Sequence, residues 1–149
     1  MSDRRELWKR YAETILEFGS GADLRIDLRR KPTAEQRAAL TALGLQGCFA
    51  VVTACNPEGR ELSAETNRER TRDLQREIAS AAGTCLRADG VSVDGSHRET
   101  GVAIVCEKQR AIDLGRRHGQ LAIYWYDGRR FWLVPCDASR CPSALPAAQ

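Results

Sequence analysis

The sequence predicts an α/β chain, with α+β as the near variant: a single mixed β-sheet, helices packed on it, and a C-terminal antiparallel hairpin. Three observations predict this. Apolar residues recur at helical spacing in some segments and at strand spacing in others, and the two kinds alternate along the chain. The run CFAVVTA at 48–54 is apolar on both faces, as a strand in the middle of a sheet is. Two aromatic, β-branched runs flank Asp127-Gly128, a strong signal for a two-residue type I′ hairpin.

The elements follow in order. Leu7, Tyr11, Ile15 and Phe18 form one stripe of an amphipathic helix over 4–18, which the glycines at 19 and 21 end. Leu24, Ile26 and Leu28 then alternate with Arg25, Asp27 and Arg29, a strand with one wet face. Thr33 and Gln36 make a capping box for a second helix, which Gly44 or Gly47 stops. The central strand at 48–54 ends at Asn56-Pro57, because proline extends the residue before it and cannot continue a ladder. A long charged helix runs over 63–82 with Leu74, Ile78 and Ala81 on its core side. Strands at 84–88 and 100–106 enclose a polar loop carrying two Asp-Gly turn signals. A helix over 107–118 stops at Gly119, and the hairpin follows. Residues 1–136 make one α/β domain, and 137–149, aperiodic with two prolines, make a loose tail.

Composition narrows the function. The 149 residues are 42% hydrophobic and 29% charged, with a net charge of +3. No run approaches the roughly 20 apolar residues of a membrane span, and the charged N-terminus is no secretion signal, so the expected location is the cytoplasm. The late basic residues Lys108, Arg110, Arg116, Arg117, Arg129 and Arg130 are diluted by Glu107, Asp113 and Asp127, which makes nucleic acid an unexpected partner. The six cysteines contain no C-x-x-C pair, so no metal or cofactor is expected. Whether Cys136 and Cys141 pair stays open. P-loop, G-x-G-x-x-G and G-x-S-x-G motifs are all absent.

One place concentrates polar residues. Stepping back along the long helix from Leu74 leads to Thr71, Asn67 and Ser63, so its core-facing stripe turns polar in the first two turns. A half-buried amide left unpaired costs about 1–3 kcal/mol, so Asn67 needs partners. In one reading Ser63 caps the helix and Asn67 holds the loop at 56–61. In the other, these groups and Asn56 face a ligand beside the carboxyl end of the central strand. Cys55 at the strand end is a weaker candidate nucleophile, with no histidine near it in sequence. Glu99, just before an apolar run, is the candidate general base, and His97 reads as an exposed neighbour. Gln120 enters the hairpin among apolar residues and must find a polar partner.

These pieces resemble a family of uncharacterised bacterial proteins, domain of unknown function 3293. The features that carry the resemblance are Tyr11 and Thr14 in the first helix, TACNP at 53–57, Ser63 and Asn67, Glu99, and RRHGQLAIY at 116–124. The resemblance spans about residues 7–134 and implies that Thr53, Asn56, Pro57, Ser63, Asn67, Glu99 and Gln120 are shared polar or turn positions. It implies no activity. The expected function is the binding of a small polar or nucleotide-like ligand at the strand-to-helix turn by Thr53, Asn56, Ser63, Asn67 and Gln120, with Glu99 catalytic if the protein is an enzyme. The alternatives are an interaction or regulatory module whose polar cluster only ties loops together, and a weak nucleic-acid binder.

Overall fold

The computed structural model describes residues 4–80, 84–137 and 140–148. Ala81 and the expected end of the long helix lie outside them. The elements are α1 (Arg4–Ala12), β1 (Ile15–Phe18), β2 (Leu24–Asp27), α2 (Ala34–Ala42), β3 (Phe49–Thr53), α3 (Ala64–Ala79), β4 (Cys85–Val91), β5 (Arg98–Ile104), α4 (Lys108–Arg117), β6 (Ala122–Tyr126), β7 (Phe131–Pro135) and β8 (Ser143–Ala144). The mixed α/β class holds. Its sheet has the order β2-β1-β4-β5-β3-β6-β7-β8, and every pairing is antiparallel, so the chain takes the α+β variant.

The sheet is rolled. Five strand spacings separate β1 from β7, about 24 Å in a flat sheet. Yet the rings of Phe18 on β1 and Phe131 on β7 have centroids 6.5 Å apart. Phe49 from β3 bridges them at 6.0 and 5.9 Å, and Tyr126 stacks on both Phe49 and Phe131. Each such aromatic pair adds roughly 0.5–1.5 kcal/mol beyond the area it buries. The inner face of the roll, with Leu16, Ile26, Val51, Ala88 and Leu133, takes Leu40 and Leu45 from the α2 segment and the rings of α1. The outer face of β5, β3, β6 and β7 packs on Leu74, Ile78, Ala111 and Leu114 of α3 and α4.

Gly101 on β5 sits where strands crowd together. A Cβ there would stand 2.8 Å from the Val52 carbonyl oxygen and 2.9 Å from that of Ala88. Both neighbours are backbone and cannot swing away.

Several boundaries move. The first helix ends at Ala12, and 15–18 is a strand rather than more helix. Ile15, Leu16 and Phe18 fit a helical wheel but also suit a strand, and pairing with both β2 and β4 decides the matter. The β4–β5 hairpin is longer than expected: Asp94-Gly95 makes the turn, while Asp89-Gly90 lies within β4. In the last hairpin the apex is Gly128 and Arg129, because the Asp127 N–H donates to the Arg130 carbonyl and its carboxylate accepts from the Arg129 and Arg130 N–H groups. The tail is not loose over its described part. Ser143 and Ala144 pair with β7, Leu145 is buried, and Arg130 donates to the Leu145 carbonyl. All six cysteines are free thiols, Cys48 exposed among them.

Gly101→Ala is expected to lower stability by roughly 1–3 kcal/mol in urea denaturation, as overpacking does. Gly90→Ala, whose Cβ would meet only the Thr14 methyl at 3.4 Å, should change it by less than about 1 kcal/mol.

Candidate functional site

The turn after β3 is tied by its own side chains. Asn56 has a left-handed backbone, φ 47 and ψ 60, a conformation that asparagine tolerates better than most residues. Asn67 accepts from the Asn56 N–H at 3.0 Å and donates to the Asn56 side-chain oxygen at 2.9 Å. That same oxygen accepts from the Leu62 N–H at 2.9 Å. Ser63 caps α3 by accepting from the Thr66 N–H at 3.1 Å and is exposed. The two amides therefore close the loop on each other, as the structural reading of the sequence has it.

Arg70 is the residue that sequence reasoning missed. Its Nε donates to the Ala54 carbonyl and its Nη2 to the His118 carbonyl, each at 2.6 Å. One guanidinium thus fastens the end of β3 to the end of α4. The Glu58 N–H donates to the Gly119 carbonyl at 2.8 Å, and Gln120 Nε2 donates to the carbonyls of Cys55 and His118. Gly119 has φ +73, and a Cβ there would meet Pro57 at 2.8 Å. The signal was present: Arg70 lies three residues after Asn67 and seven after Ser63, on the same inward stripe.

The cavity lies elsewhere, inside the roll. It has a volume of about 340 Å³, and Thr53, Glu99 and Gln120 all line it. Its floor is small: Ala88, Gly90, Gly101 and Ala122 face it where the aromatic cluster does not reach. Tyr11 and Thr14 from α1 and its exit form one wall, and the β4–β5 turn another. Among the residues expected at the site, then, Thr53, Glu99 and Gln120 come together. Asn56 and Asn67 line a second, open groove beside α3 instead.

Polar groups in the cavity are unequally committed. The Thr53 hydroxyl donates to the Thr100 carbonyl and accepts from the Cys55 N–H. Glu99, its side chain 22% exposed, pairs through Oε2 with His97 Nε2 at 3.2 Å. This bond raises the His97 pKa above its ordinary value against the opposing effect of partial burial. Burial, with the Glu99 charge adding to it, also raises the Tyr11 phenol, which keeps that group protonated. The Tyr124 hydroxyl donates to the Tyr11 carbonyl at 2.7 Å and holds the end of α1 over the sheet. Cys55 is no activated nucleophile by geometry: its buried thiol lies against Thr71 Oγ1 and the Thr100 carbonyl, and among the described residues no imidazole is bonded to it.

Residues 52–123 match the family model described as Protein of unknown function (DUF3293), the family the sequence resembles. No curated protein and no solved structure matches the chain. The matched segment runs from within β3 into β6. It contains the whole tie between the two turns together with Glu99 and Gln120, whereas Tyr11 and Thr14 lie outside it.

Asn67→Ala leaves the Asn56 N–H and side-chain oxygen short of partners, and a loss of about 1–3 kcal/mol in denaturant unfolding is expected. For His97, a proton-detected NMR titration should give a pKa above the ordinary ~6.5, returning toward it in Glu99→Gln. Because the folded-state value is the raised one, this pair stabilises the fold fully below pH ~6.5 and its contribution fades as pH climbs through the folded value.

Proposed function

We propose that this protein binds a small molecule inside the rolled sheet, with the ligand's polar group against Glu99 and His97 and its apolar body over Val51, Ala88, Ala122 and Leu133. The observation that carries this reading is a half-buried carboxylate facing a void floored by glycine and alanine. A volume of about 340 Å³ falls at the small end of ordinary ligand pockets, about 300–1,000 Å³. Such pockets are mostly apolar with a few placed polar groups, which is the make-up here. The ligand class that fits is a compact, partly aromatic molecule carrying an N–H or O–H donor, a nucleobase-like edge included. Glu99 accepts that donor. Held by the His97 imidazole, it is also placed to take a proton from a bound substrate, the role of a general base.

The amides of the β3–α3 turn play a supporting part in this reading. They hold the strand end from which Thr53 enters the wall, and Gln120 bridges the same turn to the cavity. The six free thiols support a reducing compartment, the cytoplasm. Among the described residues no helix is long and apolar enough to cross a membrane.

The test is a ligand-observed NMR screen with a library of small heterocyclic N–H donors, followed by thermal shift. Hits should stabilise the wild-type protein, by about 2.7 kcal/mol at 100 times Kd, and bind at least tenfold more weakly to Glu99→Gln and to Gly90→Val, which narrows the cavity. Hits that bind both variants as well as wild type, or a library without saturable hits, would overturn the proposal.

A further inference from the structure

The second groove, of about 770 Å³, runs between α3 and the outer face of the β4–β5 hairpin, on the side of the sheet away from the cavity. Its lining has four arginines, Arg68, Arg72, Arg87 and Arg98, against one acidic side chain, Glu61. Amides and hydroxyls from Asn56, Asn67, Thr71, Ser96 and Thr100 complete it. The arginines are of two kinds. Arg87 and Arg98 are held from below. Asp89, only 2% exposed, accepts from Arg87 Nε and Nη2, each at 3.0 Å, and from Arg98 Nη1 at 2.8 Å. Buried Glu17 takes Arg98 Nη2 at 2.8 Å and Arg25 Nε at 3.0 Å. Each held guanidinium keeps the remainder of its five N–H donors, and its rotamer is already fixed, so less entropy is lost when an anion is bound. Arg68 and Arg72, one turn apart on α3, have no carboxylate within ion-pair distance among the described residues, unlike Arg76 and Arg117.

We propose that this groove binds a compact phosphate-bearing small molecule, with Arg87 and Arg98 as a preset fork and Arg68 and Arg72 closing on the anion from the helix. Planar guanidiniums, amides and hydroxyls together are the donor set that phosphate oxygens take. Charge complementarity favours a compact anion over a polynucleotide. The row of Arg25, Arg87 and Arg98 is offset by Glu17 and Asp89 beneath it, so its field is local. Among the described residues no phenylalanine, tyrosine or tryptophan lines the groove to stack a base. This site stands independently of the cavity, with His97 the one residue among those described that lines both.

Pyrophosphate titrated calorimetrically into the full chain tests the proposal. Saturable binding is expected, weakened at least tenfold in the Arg68→Ala/Arg72→Ala double variant and unchanged in Arg110→Ala, an exposed arginine outside the groove. Both variants should keep the wild-type melting point, since none of the three side chains makes a hydrogen bond or ion pair among the described residues. Absence of saturable binding, or equal weakening in both variants, would overturn it. So would a short single-stranded oligonucleotide that binds the groove far more tightly than pyrophosphate, with steep salt dependence, because that result makes the groove a nucleic-acid surface.

Discussion

Phe18 and Phe131 meet across a distance that a flat sheet would not allow, and the rest of the molecule depends on that meeting. A sheet of eight antiparallel strands has a natural twist, but twist alone does not bring β1 to β7. Four aromatic rings draw the two halves together at one end of the roll, and a glycine on β5 lets three strands crowd at its centre. At the other end the inward positions carry glycine and alanine, so the same curvature that packs the aromatic end leaves a void. The cavity is thus a consequence of side-chain size along one face, walled by the exit of α1 and the β4–β5 turn.

The polar tie behind the sheet keeps that void in shape. Arg70 satisfies the last carbonyl of the β3 exit and a carbonyl at the end of α4 with one group, and the Asn56–Asn67 amide pair closes the turn between. Charge-assisted bonds of this kind contribute about 1.5–3 kcal/mol. They fix where Thr53 leaves the sheet and where Gln120 enters it. The two turns lie far apart in sequence, yet each supplies hydrogen-bond acceptors that the other would lack. That the family match spans both turns, from within β3 into β6, fits a segment that folds as one tied unit.

Local chemistry was legible in the sequence and long-range closure was not. The capping box at Thr33 and Gln36, the cap at Ser63, the central strand and the last hairpin all rest on spacing within a few residues, and each is present. Glu99, Thr53 and Gln120 could be singled out as polar groups next to apolar runs. Their convergence could not, because it depends on the order of strands β5, β3 and β6. Ile15 and Phe18 satisfy a helical period while Leu16 and Phe18 satisfy a strand period, so only pairing with β2 and β4 could assign the segment. Asn67 was recognised as needing partners, and those partners proved to be Asn56 and the loop. His97 read as an exposed residue in an arginine-rich stretch. Its pairing with Glu99 two positions on shows only once both stand on the same hairpin.

Two faces of one sheet thus carry two different surfaces: a small apolar void with a carboxylate–imidazole pair inside the roll, and an arginine groove outside it. The central claim is that the void is real and sized by small residues. Ala122→Leu tests it most directly, by equilibrium denaturation, since a leucine there must either fill empty space or displace packed atoms. The account predicts a protein as stable as wild type or more so, by about 0.5–2 kcal/mol, as cavity filling gives. A loss of roughly 1–3 kcal/mol, the signature of an overpacked core, would show that no such space exists.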